Sequence, residues 1–146
     1  MKKICLLFFI LYNISFGLNF SIAPTGFNLD LEESQTNEVY LINNTSKPLR
    51  IEAFIETPKG YEKNNLSDRI TIFPKIFSIK PGAKQTVRFK VKTDKDMKSG
   101  KYKSLLVFRE KKSEIKKKEK EIKDFSVNIS FITEVAIGII GNIDKK

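Results

Sequence analysis

The side chains that most often carry enzymatic or metal chemistry are nearly absent from this chain. It has no histidine and no tryptophan, and its one cysteine, Cys5, lies in an apolar N-terminal segment. This composition removes the usual general base, the common zinc ligands and the thiol nucleophile. The carboxylates lack the spacing of a calcium-binding loop. An envelope hydrolase is an alternative function, but no group of residues has the arrangement of a catalytic site. We therefore expect a protein that is not an enzyme and that has no metal or other cofactor.

The strongest candidate for a functional segment is Phe125-Ser-Val-Asn-Ile-Ser-Phe131, which alternates strictly between apolar and polar residues. On a β-strand this alternation places four apolar side chains on one face. They are Phe125, Val127, Ile129 and Phe131. Such a row either packs in the core of its own domain or binds an apolar groove of another protein. The same parity continues through Val135, Ile137 and Ile139. This is typical of an ordinary core strand, so the residues alone leave both interpretations open.

Residues 1–17 have the organisation of a secretory signal peptide. Two lysines follow Met1, an apolar run extends from Ile4 to Phe16, and small residues precede the expected cleavage after Gly17. A retained membrane anchor is the alternative, but the run is shorter than the roughly 20 residues that a membrane-spanning helix needs. We expect export, no stable membrane insertion, and a mature domain of residues 18–146 without cysteine or disulfide.

The chain is basic, with a formal net charge of +10. A basic protein can indicate nucleic-acid binding, but export separates this chain from nucleic acid, so we expect no nucleic-acid partner. Much of the excess charge lies in one segment, Lys111 to Lys123. One interpretation is a solvated loop that protects an edge strand from aggregation. The other is a segment that orders when the following strand lengthens on binding.

Short β-prone runs bounded by turn residues recur after the signal segment, which is typical of a sandwich or barrel. Seven strands are predicted, at 19–31, 38–42, 49–56, 69–73, 85–92, 101–109 and 122–140. The first is interrupted at residues 24–26, where proline and glycine predict a switch between sheets. The predicted fold is all-β, a seven-stranded immunoglobulin-like β-sandwich without a disulfide.

The segment Lys80-Pro-Gly-Ala-Lys-Gln-Thr-Val-Arg-Phe89 resembles a turn and strand of a known family. That family is the periplasmic pilus (fimbrial) chaperones, and the match is to their N-terminal immunoglobulin-like domain. Segments 22–30, 41–48, 72–79 and 104–110 resemble other strands of the domain in the same order, so the resemblance covers essentially the whole mature chain.

The resemblance implies a function for the last strand. Pilus subunits are incomplete sandwiches, and the chaperones of this family insert alternating apolar residues from their last strand into the exposed groove. The donated row here would be Phe125, Val127, Ile129 and Phe131. The implied partners are a pilin-like or other surface-fibre subunit and an outer-membrane usher, in the periplasm. The alternative function is a structural or adhesive immunoglobulin-like component of the cell envelope.

The sequence departs from the family at the residues that hold the subunit's terminal carboxylate. The family uses two basic residues there, and their positions fall at Gly26 and Ala136. Four other cations are candidates to replace them: Lys47, Arg50, Arg88 and Lys90.

A second departure concerns contact with the family's second domain. The bridging charges of the family fall at Lys103 and Ile140, and the sequence ends soon afterwards, at Lys146. Whether another chain supplies a second domain stays open.

Overall fold

The computed structural model describes residues 17–112 and 131–144, and these residues are almost wholly β-structure. They form nine strands: β1 Phe20–Ala23, β2 Gly26–Asp30, β3 Gln35–Asn43, β4 Leu49–Glu56, β5 Ile70–Phe73, β6 Ile76–Ile79, β7 Lys84–Val91, β8 Gly100–Lys111 and β9 Glu134–Ile143. One turn of 3₁₀ helix, Ser67–Arg69, precedes β5. Within these residues no helix has the length and apolar character needed to cross a bilayer.

The strands form two sheets that face each other. One sheet has the order β1-β3-β7-β5 and the other β2-β9-β8-β4-β6. Neighbouring strands are antiparallel except β2 and β9, which are parallel. The predicted all-β, immunoglobulin-like sandwich without a disulfide is confirmed. The described residues contain nine strands rather than seven, because the predicted first strand divides into β1 and β2 and because residues 76–79 form a strand of their own.

The chain passes from one sheet to the other at a proline in two places. β1 pairs with β3 and β2 pairs with β9, so the switch predicted at residues 24–26 is confirmed. A second switch, at Pro74, separates β5 in the four-stranded sheet from β6 in the five-stranded sheet. Proline has no N–H to donate to a ladder, which suits it to these corners.

Alternating apolar rows from both sheets form the core. Val87, Phe89 and Val91 are fully buried, as the alternation in β7 predicts. The Phe89 ring meets Phe27 of the other sheet edge-on, with centroids 4.9 Å apart. In β9 the odd-numbered residues face this core, including Ile139, which is also fully buried.

The predicted last strand, 122–140, has different bounds in the structure. Residues 113–130 lie outside the described residues, residues 131–133 are not in a strand, and β9 runs from Glu134 to Ile143. The ladder with β8 runs from Glu134 opposite Arg109 to Ile143 opposite Gly100, and β2 flanks β9 only from Gly138 onwards.

A buried asparagine fixes the turn between β3 and β4. The Asn43 side chain is almost completely buried and donates to the carbonyl oxygens of Lys47, at 2.8 Å, and Ile79, at 2.9 Å. Its Oδ1 accepts bonds from the N–H and the hydroxyl of Thr45, both at 2.8 Å. One side chain therefore satisfies the turn and the end of β6 together.

We predict that Asn43→Ala lowers the free energy of unfolding by about 2–3 kcal/mol, because buried backbone groups lose their partners. Urea unfolding of the mature protein measures this. Asn44→Ala is the matched control, since Asn44 is exposed and should change stability by only about 0.5 kcal/mol. Equal losses for the two variants would contradict this role of Asn43.

Candidate functional site

The candidate binding site is built around β9, which is paired unequally on its two sides. On one side it pairs with β8 along its whole length, from Glu134 opposite Arg109 to Ile143 opposite Gly100. On the other side it pairs with β2 only from Gly138 onwards. Residues 134–137 therefore have no described strand beside them. We call these four residues the open edge.

The backbone groups of Glu134 and Ala136 point out of the open edge. In an antiparallel ladder, alternate residues bond to the partner strand and the others point away from it. The carbonyl of Thr133 accepts from the N–H of Glu110 at 2.9 Å, so the odd-numbered residues of β9 bond to β8. The backbone N–H and C=O groups of the even-numbered residues point away from β8, towards the side of β2. There the carbonyl of Asn142 accepts from the N–H of Leu31 at 2.9 Å. An added strand can therefore bond to Glu134 and Ala136.

Phe131 continues the core-facing parity of β9, but its own domain does not cover it. Its side chain is 87% exposed, and the next residue, Ile132, is 50% exposed. Of the predicted donor row, the structure describes only Phe131. Phe125, Val127 and Ile129 lie outside the described residues, so their donation stays a prediction.

The two positions where the family resemblance places an anion-binding pair lie close together. Gly26 pairs with Gly138, and Ala136 lies two residues earlier on β9. Both residues are exposed, and neither provides charge. The positions expected to bridge to a second domain, Lys103 and Ile140, are also neighbours, directly opposite each other on β8 and β9.

The outer face of the five-stranded sheet is apolar beside the open edge. Val107 lies opposite Phe54 on β4 and Ala136 on β9. It is fully buried, although it is not part of the core cluster. The guanidinium of Arg109 lies 4.7 Å from the centre of the Phe54 ring.

Two of the four candidate replacement cations lie away from the open edge, on the outer face of the four-stranded sheet. Arg88 forms an ion pair with Glu38, 2.7 Å between Nε and Oε1, and Lys90 lies opposite Thr71 on the same face. The other two, Lys47 and Arg50, line a groove that Phe131 also lines. This groove was not predicted, because its residues come from four separate segments of the chain.

Hydrogen bonds shift the pKa of several exposed groups. The bonds from Arg88 and from the Tyr40 hydroxyl lower the pKa of Glu38, and the same carboxylate raises the pKa of Tyr40. At the open edge, the carboxylate of Glu134 bonds to Arg109 and raises the pKa of that guanidinium. This ion pair joins the start of β9 to β8.

Comparison with known proteins places this geometry in a family. The family model described as "Pili and flagellar-assembly chaperone, PapD N-terminal domain" matches residues 19–137. No curated protein sequence matches the chain.

Several solved structures share the fold. The periplasmic chaperone SfaE has 14% identity and a TM-score of 0.63, over 86% of this chain and 58% of that one. The E. coli chaperone DraB has 10% identity and a TM-score of 0.62, over 85% of this chain and 54% of that one. A structure of the Salmonella enterica SafA pilin in complex with the SafB chaperone has 11% identity and a TM-score of 0.62, over 89% of this chain and 57% of that one.

The chain thus spans little more than half the length of the chaperone structures that it matches. The two-sheet sandwich and the family match over residues 19–137 agree with the resemblance seen in the sequence. This chain belongs to the pili and flagellar-assembly chaperone family, as a PapD N-terminal domain.

Proposed function

We propose that this protein is a periplasmic chaperone that stabilises a subunit of a pilus or another surface fibre by donating its last strand. The observation that carries the proposal is the open edge of β9 beside the exposed Phe131, in a domain of a chaperone family. A subunit that lacks one strand needs backbone hydrogen-bond partners and apolar side chains. The open edge supplies the first, and the row from Phe125 to Phe131 supplies the second.

The donated row provides enough apolar surface for a stable complex. Fully burying one large apolar side chain contributes about 1.5–3 kcal/mol, so the four residues together contribute about 6–12 kcal/mol. Association and the ordering of side chains offset part of this gain. The four residues are Phe125, Val127, Ile129 and Phe131.

The relatives support the class of partner and the compartment. One matched structure contains a pilin with its chaperone, and another is a complex of a chaperone with a tip adhesin. SfaE is named as a periplasmic chaperone, and the signal-peptide pattern of residues 1–17 agrees with the same compartment. We propose further that the protein is not an enzyme and that an outer-membrane usher is a second partner.

We predict that Ile129→Lys leaves the isolated protein folded but abolishes retention of a subunit, because the charge cannot enter an apolar groove without a large desolvation penalty. The measurement is co-purification from the native periplasm with tagged mature protein, together with urea unfolding. Asn128→Lys is the control, since the alternation places Asn128 on the opposite face. If Ile129→Lys instead loses several kcal/mol of stability, Ile129 is a core residue and strand donation is wrong.

Main-chain bonding at the open edge is tested by Ala136→Pro. Proline removes an N–H that points away from β8, so the domain should stay folded while the subunit is bound at least about tenfold more weakly. Val135→Pro is the matched control, because the N–H of Val135 faces β8 and its loss should destabilise the domain itself. Undiminished subunit binding by folded Ala136→Pro would rule out pairing at this edge.

A further inference from the structure

A groove lies at the end of the sandwich where β9 begins. It has a volume of about 480 Å³ and is lined by Asn19, residues 45–50, residues 110–112 and Phe131. Leu49 and Pro48 contribute apolar surface, and the exposed Phe131 lies at the rim. We call this the pole groove. Because Phe131 belongs both to the groove and to the predicted donor row, the two surfaces are continuous.

Positive charge dominates the pole groove. Its lining contains one carboxylate and four cationic side chains: Lys47, Arg50, Lys111 and Lys112. The carboxylate of Glu110 is already engaged, since it accepts from the Asn19 side chain at 2.8 Å and from the N–H of Thr133 at 3.4 Å. It therefore helps to hold the groove together, and the four cations of the lining outnumber this one negative charge.

Two of the cations are available to a ligand. Lys111 forms an ion pair with Glu52, with 3.1 Å between Nζ and Oε2. Lys47 and Arg50 are exposed, and within residues 17–112 and 131–144 no ion pair joins either of them to a carboxylate. Lys47 lies in the β3–β4 turn, whose backbone is fixed by Asn43, and Arg50 is the second residue of β4, so the two cations lie on a rigid support.

We propose that the pole groove binds an acidic segment of the subunit, next to the subunit strand that pairs with β9. This inference rests on the proposed strand donation. Because β8 lies between β9 and β4, a subunit chain that leaves the open edge at the start of β9 reaches the groove by crossing the end of the sheet past Phe131. There, Lys47 and Arg50 meet its carboxylates, which gives charge complementarity and fixes the register of the added strand.

The pole groove differs in position from the anchor that the family resemblance places at Gly26 and Ala136. Those two residues lie where β2 begins to cover β9, and neither of them has a charged side chain. The pole groove lies beyond the other end of the open edge. In this chain, recognition of negative charge is therefore separated from the site of backbone pairing near Ala136.

The test uses the mature full chain, residues 18–146, and two fluorescent peptides of equal length. Both peptides have the same alternating valine and threonine core, and one is flanked by glutamates while the other is flanked by lysines. Anisotropy titrations in low and high salt give the dissociation constants. We expect the acidic peptide to bind at least about tenfold more tightly than the basic one, and salt to reduce this preference.

Charge reversal locates the effect. Lys47→Glu with Arg50→Glu should weaken binding of the acidic peptide at least about tenfold. Lys59→Glu with Lys63→Glu is the control with the same change in net charge, and both of its residues are exposed and lie outside the groove. Urea unfolding confirms that both double variants are folded. If the variant at positions 47 and 50 does not fold, Lys47→Gln with Arg50→Gln replaces it.

The outcomes separate the two proposals. Equal affinity for both peptides, or equal weakening by both double variants, overturns the groove assignment but leaves strand donation standing if Ala136→Pro still reduces binding. Binding of neither peptide, together with failure to retain any subunit in the periplasm, overturns strand donation and the groove assignment with it.

Discussion

The unequal pairing of β9 is the constraint on which the rest of the site depends. β8 accompanies β9 from end to end, but β2 joins it only at Gly138, after the chain has left the other sheet at Pro24. Had the switch come four residues earlier, β2 would cover residues 134–137 and the sheet would have no open edge. The position of one proline-containing corner therefore decides whether the domain presents backbone groups to a partner.

This constraint links stability to recognition. Towards its end, β9 lies between β2 and β8, and Ile139 is fully buried in the core. Towards its start, the same parity reaches Phe131, which is 87% exposed. A strand anchored so firmly at one end can present apolar side chains at the other end without loss of the fold. Under the proposed strand donation, a partner rather than the domain itself binds the apolar row.

The fold was largely predictable from local patterns. The alternation in β7 predicts the buried Val87, Phe89 and Val91, and the proline and glycine at residues 24–26 predict the first change of sheet. The second change, at Pro74, and the strand β6 were missed, because residues 76–79 lead directly into the turn at Pro81 and Gly82 and their pairing with β4 is not visible in the sequence. The predicted start of the last strand, at residue 122, lies outside the described residues, and residues 131–133 are not in a strand although local alternation predicts one there.

The site was only partly predictable. Alternation identified Phe131 as part of an apolar row, but the open edge depends on which strand lies beside β9, and sequence spacing does not give this. The pole groove could not be predicted for the same reason, because Asn19, Lys47 and Glu110 are brought together only by the tertiary fold. The mapped positions Gly26 and Ala136 did prove to be neighbours, so the family alignment carried real spatial information.

The most direct test of the account is residue-specific amide hydrogen exchange by NMR, on the free mature protein and on its complex with a subunit. In the free protein, the amides of Glu134 and Ala136 should exchange rapidly, whereas those of Val135 and Ile137, bonded to β8, should be protected. In the complex, all four should be protected. Equal protection of the four amides in the free protein would mean that the open edge is already occupied, which contradicts the account.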